Sequence, residues 1–129
     1  MKTTAQVYNI YFDDVLDAVI MEWNGYATTA QFREGTELML NTLIQNKCSK
    51  VLADIEDMTL ISVEDQQWLQ TSFVPRAIKF GFKVIAIVTP TSYFNKVAVE
   101  SVSYKIDKEK LTINFFDSSE KATEWLKQV

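Results

Sequence analysis

The chain is predicted to fold as an α/β domain, with a mixed sheet of about five strands and helices packed on it. Two aromatic and β-branched runs, at 7–12 and 18–23, are separated only by residues 13–17. That gap suits a hairpin and cannot hold a crossover helix. Residues 84–88 form an unbroken apolar run, which is typical of a strand covered on both faces. Beyond the hairpin, strand patterns alternate with helical ones, as in βαβ units.

The first helix is predicted from its cap and its apolar spacing. Thr28 and Gln31 match a capping box, in which each side chain bonds the backbone N–H of the other residue. A helix of about four turns then brings a mainly apolar set onto one face. This set comprises Phe32, Thr36, Met39, Leu40, Leu43 and Ile44. Residues 51–55 follow as the third strand.

The next two helices are predicted from a polar cap and a proline. Ser62 precedes Asp65 by three residues and opens a helix as its N-cap, a role worth about 1 kcal/mol. Pro75 belongs in the first turn of a further short helix, and Gly81 ends that helix.

The last third of the chain repeats the alternation. Apolar residues keep a helical period from 94 to 102, and residues 107–110 are a mixed-charge, solvated link. Residues 111–116 are predicted as the last strand. Asp117 is predicted to cap the final helix, with Glu120 at the box position. The apolar stripe of that helix is Ala122, Trp125, Leu126 and Val129.

Composition and charge argue against several classes of protein. The net charge is −4, and no run of lysine or arginine could follow a phosphate backbone, so nucleic-acid binding is not expected. The chain has no histidine, which removes the commonest general base and the commonest metal ligand. Serine–histidine and cysteine–histidine catalysis are excluded. We therefore expect a protein that is not an enzyme, with no cofactor, no catalytic residue and no metal site.

The same features predict a cytoplasmic protein without stable membrane insertion. The longest apolar run, at 84–88, is too short to span a bilayer, and the N-terminus has no signal pattern. The single Cys48 cannot form an internal disulfide. It follows a helix within a polar stretch, so we expect it to be partly exposed in a reducing compartment.

Element order and four local patterns together resemble a known family. The patterns are the strand at 51–55, the helix opened by residues 62–65, the strand at 83–89 that ends in Thr89-Pro90, and the tail with Phe115-Phe116-Asp117, Ala122 and Trp125-Leu126. They resemble the STAS domain of anti-sigma-factor antagonists and sulfate transporters, and most closely its SpoIIAA-like branch. This branch looks related to the CRAL-TRIO lipid-transfer domains. The resemblance covers nearly all of residues 1–129 and implies one domain, a non-enzymatic binding or regulatory module.

The family's phosphorylation site is not matched. In STAS antagonists the loop after this strand ends in Asp-Ser-Ser/Thr-Gly, and a partner kinase phosphorylates the hydroxyl before glycine. Laid on this chain, the pattern puts Ser62 at the aspartate, Val63 at the first hydroxyl, Glu64 at the phosphoacceptor and Asp65 at the glycine. All four positions differ, so the resemblance implies a module without the phosphoserine switch. Glu64 instead places a fixed negative charge near a helix N-terminus.

The segment after the third strand is the predicted partner-binding surface. It carries the densest acidic cluster, at the carboxyl end of a strand, where ligands bind in open α/β sheets. Carboxylates could also hold Mg²⁺, although loop carboxylates more often face solvent or bond backbone amides. The leading interpretation is recognition of an unidentified protein partner. The candidate residues are Asp54, Glu56, Asp57, Thr59, Ser62, Glu64 and Asp65.

The alternative is a carrier or sensor of a small apolar, lipid-like molecule, as the CRAL-TRIO resemblance implies. Trp68, Phe73 and Phe94 could line its pocket, although aromatic residues at helical spacing more often belong to a core. A closed apolar cavity beneath Trp68 and Phe94 would favour this alternative over the protein-binding module.

A homodimer is a further expectation. The run at 7–12 is rich in aromatic residues and is predicted to lie at an edge of the sheet. An edge strand presents unpaired backbone groups, so it invites pairing or packing with a second copy.

Overall fold

One mixed sheet of five strands organises the fold. The computed structural model describes residues 7–59, 61–89 and 93–129, and within 93–99 it describes only the side chain of Val97. The strands are β1 (Tyr8–Asp13), β2 (Ala18–Gly25), β3 (Lys50–Met58), β4 (Val84–Val88) and β5 (Thr112–Phe116). They lie in chain order, with β1 antiparallel to β2 and the other neighbours parallel. The predicted hairpin and mixed five-stranded sheet are confirmed.

Helices link the parallel strands and end the chain. They are α1 (Thr29–Gln45), α2 (Val63–Trp68), α3 (Val74–Lys79), α4 (Tyr93–Tyr104) and α5 (Ser119–Leu126). A π-helical turn, Leu69–Phe73, joins α2 to α3 without a break. Among the described residues, no helix combines the length and the apolar composition needed to cross a bilayer.

The predicted caps of α1 and α2 are confirmed. Thr28 Oγ1 accepts from the backbone N–H of Gln31, and the Gln31 side chain accepts from the backbone N–H of Thr28, which completes the capping box. Ser62 Oγ accepts from the backbone N–H of Asp65 at 3.1 Å. Pro75 lies in the first turn of α3, as expected.

The helices cover the two faces of the sheet unequally. On one face Val51, Ala53 and Ile55 of β3 pack with α1, the π-helical turn and α3. On the other face Leu52 joins Ala86 and Val88 of β4 beneath the buried residues of α5, which are Ala122 and Leu126. Because Ile87 belongs to the first face, β4 is covered on both sides, as its unbroken apolar run predicts.

The cap of α5 differs from the prediction by one residue. Ser118, not Asp117, is the N-cap, and its hydroxyl accepts from the backbone N–H of Lys121 at 3.2 Å. The Phe116 carbonyl still accepts from the backbone N–H of Thr89, so the chain stays extended through β5 and the helix starts later. Asp117 pairs instead with the Lys121 side chain at 3.0 Å.

The expected exposure of Cys48 is wrong, because the residue is 5% exposed. Lys47 adopts a positive φ of 51°, and this tight turn from α1 into β3 directs the thiol inward. The sulfur lies 3.3 Å from the carbonyl oxygens of Asp17 and Lys50. Burial raises the pKa of the Cys48 thiol above its ordinary value.

Candidate functional site

An apolar cavity lies between the sheet and the helices of its first face. Its volume is about 120 Å³. Every strand from β2 to β5 contributes to its floor, and α1, the π-helical turn, α3 and α4 contribute to its walls. The sheet side includes Met21 and Trp23, the π-helical turn supplies Leu69 and Phe73, and α4 supplies Val102.

The wall of the cavity has two hydroxyl side chains, and both are already bonded within the fold. Thr36 Oγ1 donates to the Phe32 carbonyl at 2.7 Å, and Ser103 Oγ donates to the Glu100 carbonyl at 2.8 Å. Neither hydroxyl therefore has its proton available for a ligand. All other lining side chains are aliphatic, aromatic or methionine, so a molecule in this space would be selected by size and apolar surface.

The three aromatic residues proposed for the pocket are placed differently. Phe73 is on the wall of the cavity and is 1% exposed. Trp68 lies behind it, with the two ring centroids 5.3 Å apart, and does not reach the wall. The side chain of Phe94 lies outside the described residues. The cavity is therefore centred on Phe73 rather than beneath Trp68.

Two guanidinium groups cover this aromatic pair from outside. The Arg33 guanidinium carbon is 5.1 Å from the Trp68 ring centroid, and that of Arg76 is 5.4 Å from the Phe73 ring centroid. Arg76 also pairs with Glu37, and this hydrogen bond raises the pKa of Arg76. The Arg33 contact joins α1 to the end of α2, and the Arg76–Glu37 pair joins α1 to α3.

Most of the cavity wall was not identified from the sequence. Three methionines, Met21, Met39 and Met58, lie on it, and each comes from a different element. Methionine fills irregular apolar spaces because its side chain is unbranched and flexible. Methionines at core positions of several elements were the available signal, but periodicity assigns them to a core without showing that a void exists.

The carboxyl edge of β3 carries the predicted partner surface. Asp57, Thr59 and Glu64 are exposed there, and Ser62 is half-buried in its cap. Val63, which the prediction did not include, directly precedes Glu64 and is 66% exposed. The Thr59 N–H donates to the Gly25 carbonyl at 2.9 Å, so this edge is tied to the end of β2.

Asp54 is oriented towards α5 rather than towards this exposed edge. Its Oδ1 accepts from the backbone N–H of Glu56 at 3.2 Å, and its Oδ2 accepts from the Ser119 hydroxyl at 3.3 Å. The side chain thus bonds a backbone amide and connects β3 to the start of α5. Glu56 is half-buried next to it.

Asp65 differs from the other candidates because it is 3% exposed. Its carboxylate accepts from the Thr29 hydroxyl at 3.3 Å and from Arg33 Nε at 3.4 Å. Both donors belong to α1, so Asp65 joins α2 to α1. The structure therefore places it inside the fold and not on a surface that a partner could contact.

Across residues 7–59, 61–89 and 93–129, no three acidic or cysteine side chains come close enough to hold a metal ion. The carboxylates after β3 diverge: Asp54 turns towards α5, Asp65 towards α1 and Asp57 into solvent. The geometry of the carboxyl edge is suited to surface recognition, and the cavity is suited to an apolar molecule.

An N-terminal hairpin, a sheet continued by βαβ units and helices on both faces define the STAS type of α/β domain. A family model described as SpoIIAA-like matches residues 18–127, and the chain belongs to this family. The crystal structure of an uncharacterized protein of the DUF3478 family with a SpoIIAA-like fold, from Shewanella loihica PV-4, superposes with a TM-score of 0.66. The two chains are 18% identical, and the match covers 98% of each. No curated protein matches.

Proposed function

We propose that this chain is a non-enzymatic binding module. It holds a small apolar molecule between its sheet and the helices that form the cavity wall, which are α1, the π-helical turn, α3 and α4. The observation that carries the proposal is the cavity of about 120 Å³ with its almost wholly apolar wall. An apolar cavity of roughly 150 Å³ stays dry in other proteins and accepts benzene or xenon. The space here therefore fits a molecule of about that size, or one apolar end of a longer molecule.

The wall also indicates how such a molecule would be recognised. The two hydroxyls donate to helix carbonyls, and no charged side chain lines the space in the described part of the chain. Binding would come from apolar burial, at roughly 25 cal/mol per Å². A polar head group would have to stay outside the cavity.

The test is a titration with benzene, followed by NMR of the methionine methyl groups and by thermal melting. Met21, Met39 and Met58 should shift saturably, since all three line the cavity. The melting temperature should rise, because a ligand that binds only the folded state stabilises it by RT ln(1 + [L]/Kd).

Two variants show whether the binding is in the cavity. Ala53 lies on the cavity floor and is 4% exposed, so Ala53→Leu should fill the space and abolish the saturable shifts. Val15→Leu is the matched control, because Val15 is 84% exposed and away from the cavity. Benzene binding that survives in Ala53→Leu, or no saturable shift in the unmodified chain, would contradict the proposal.

Recognition of a protein partner through the carboxyl edge of β3 is the second candidate. It is favoured by the exposure of Val63 and of the acidic Asp57 and Glu64, which offer both apolar and charged groups after β3. A partner with a basic and apolar surface would complement it. Since this surface does not need the cavity, the Ala53→Leu variant would lose benzene and keep such a partner.

A further inference from the structure

Strand β1 lies at one edge of the sheet, and three of its residues direct their backbone N–H and C=O groups away from the sheet. The Asn24 N–H donates to the Val7 carbonyl at 2.8 Å, so alternate residues from Val7 onward bond to β2. Tyr8, Ile10 and Phe12 therefore direct their N–H and C=O away from the sheet. In the described ranges, no hydrogen bond reaches these backbone groups.

The two edges of the sheet are not equivalent. In β5 the Thr112 N–H donates to the Lys83 carbonyl, so Ile113 and Phe115 are the residues that point outward. The Phe115 N–H is already bonded to Asn114 Oδ1 at 3.0 Å, which blocks that edge. β1 carries no such block: residues 8–12 include no proline, no charge and no bulge. Those are the usual devices that keep an edge strand from pairing.

We propose that β1 pairs antiparallel with β1 of a second copy, about a two-fold axis through Ile10. In this register Ile10 lies opposite Ile10 of the second copy, and Tyr8 lies opposite Phe12. The outward groups of β1 are then self-complementary, because each outward N–H meets an outward C=O. The sheet becomes one ten-stranded sheet with β5 at each end.

Helix α1 supports a second copy as the occupant of this edge. Glu34 accepts from the Tyr8 hydroxyl at 2.6 Å, so that face of α1 lies over β1. Leu38 is one turn further along the same face and is 42% exposed. The two-fold axis is perpendicular to the sheet, so it brings the two α1 helices side by side. Leu38 of each copy would then be covered by the other copy.

The experiment is sedimentation velocity of the full chain from about 10 µM to 1 mM. The unmodified chain should change from the monomer mass of 14.8 kDa towards twice that mass. Ile10→Pro removes an outward N–H and leaves the bonds to β2, since proline is tolerated at such edge positions. Leu38→Glu places like charges beside the axis. Each variant should raise the dissociation constant at least tenfold.

The control is a variant far from β1, and the second measurement is amide exchange in β1. Tyr104→Glu, on the β5 side of the fold and 79% exposed, should associate as the unmodified chain does. The Ile10 amide should exchange more slowly with deuterium as concentration rises, and Leu38→Glu should remove that dependence. This measurement decides the question if Ile10→Pro fails to fold. A chain that stays monomeric at 1 mM, or a dimer retained in both variants, overturns the proposal.

Discussion

Asp65 joins two helices through a buried carboxylate. The Thr29 hydroxyl and Arg33 Nε both donate to it, and its own N–H is held by the Ser62 cap. A buried carboxylate is stable in a fold when its oxygens are paired in this way. Arg33 is 42% exposed and covers the Trp68 ring, so the contact also positions this ring behind the cavity.

Replacing this carboxylate should lower the free energy of unfolding. Asp65→Asn keeps the shape but removes the charge that Arg33 and Thr29 bind, and we expect a loss of about 1–3 kcal/mol. Glu64→Gln is the matched control, because Glu64 is exposed, and it should stay within about 0.5 kcal/mol of the unmodified chain. Urea unfolding followed by far-UV circular dichroism measures both values. Equal stability of the two variants would show that the Asp65 contacts contribute nothing.

The local sequence predicts the helix start at Ser62 and Asp65 but not the contacts of the Asp65 side chain. The spacing of Ser62 and Asp65 correctly gives the helix start, because a cap needs only residues three apart. The direction of the Asp65 side chain depends on Thr29 and Arg33, which lie 36 and 32 residues earlier in the chain. A single sequence does not show which of its acidic residues meets that helix, so local patterns place Asp65 among its exposed neighbours.

At the scale of elements, α1 approaches the hairpin most closely at Gly35. A Cβ atom there would lie 2.6 Å from the outer ring of Trp23 and 3.0 Å from the ring of Tyr8. Trp23 is 4% exposed and Tyr8 packs against it with ring centroids 5.3 Å apart. Glycine thus sets the distance between α1 and the sheet, and so the depth of the cavity that Trp23 lines.

Gly35→Ala should therefore destabilise the fold although alanine is the better helix former. The gain in helix propensity is about 1 kcal/mol, and forcing buried rings apart costs about 1–3 kcal/mol. We expect a net loss of about 1 kcal/mol in urea unfolding. Asn41→Ala, at an exposed position of the same helix, isolates the propensity term and should stabilise slightly. A gain in stability with Gly35→Ala would show that the rings move aside freely.

The strands and helices are largely predictable from the sequence, but the connection between α2 and α3 is not. The strands and the caps at Thr28 and Ser62 depend on residues close in the chain. Local patterns predict α2 and α3 as separate helices and do not predict the π-helical turn before Pro75. Pro75 supplies no N–H, and the turn before it is widened, with the Val74 N–H donating to the Leu69 carbonyl. This widened turn carries Leu69 and Phe73 to the cavity.

At the scale of the whole molecule, the cavity is formed jointly by the sheet and the helices that cover it. Its walls come from α1, the π-helical turn, α3 and α4, and its floor from four strands. Apolar periodicity shows which residues face inward, but the space left between them depends on how far each helix stands from the sheet. For that reason the sequence predicted Phe73 as a pocket residue while most of the wall became visible only in the assembled fold.

The side chains of Cys48, Tyr8 and Tyr11 should make the stability of the whole fold change with pH in the alkaline range. Burial raises the pKa of the Cys48 thiol above 9.0. The hydrogen bond to Glu34, together with burial, raises the pKa of Tyr8 above 10.0, and burial with the nearby Glu22 and Asp13 charges raises that of Tyr11. Each group holds its proton more tightly in the folded chain. Above these ordinary values the unfolded chain therefore binds fewer protons, so stability falls as pH rises.

Urea unfolding between pH 7 and pH 11 should show this fall. The contribution of Cys48 is complete below about pH 9 and is lost as pH rises through its folded pKa, and the tyrosine contributions are lost from about pH 10 upward. Cys48→Ala should therefore remove the earliest part of the fall and leave the later part. Tyr8→Phe should reduce the later part and leave the earlier one. A free energy of unfolding that stays constant to pH 11 would show that these groups titrate alike in the folded and unfolded chain.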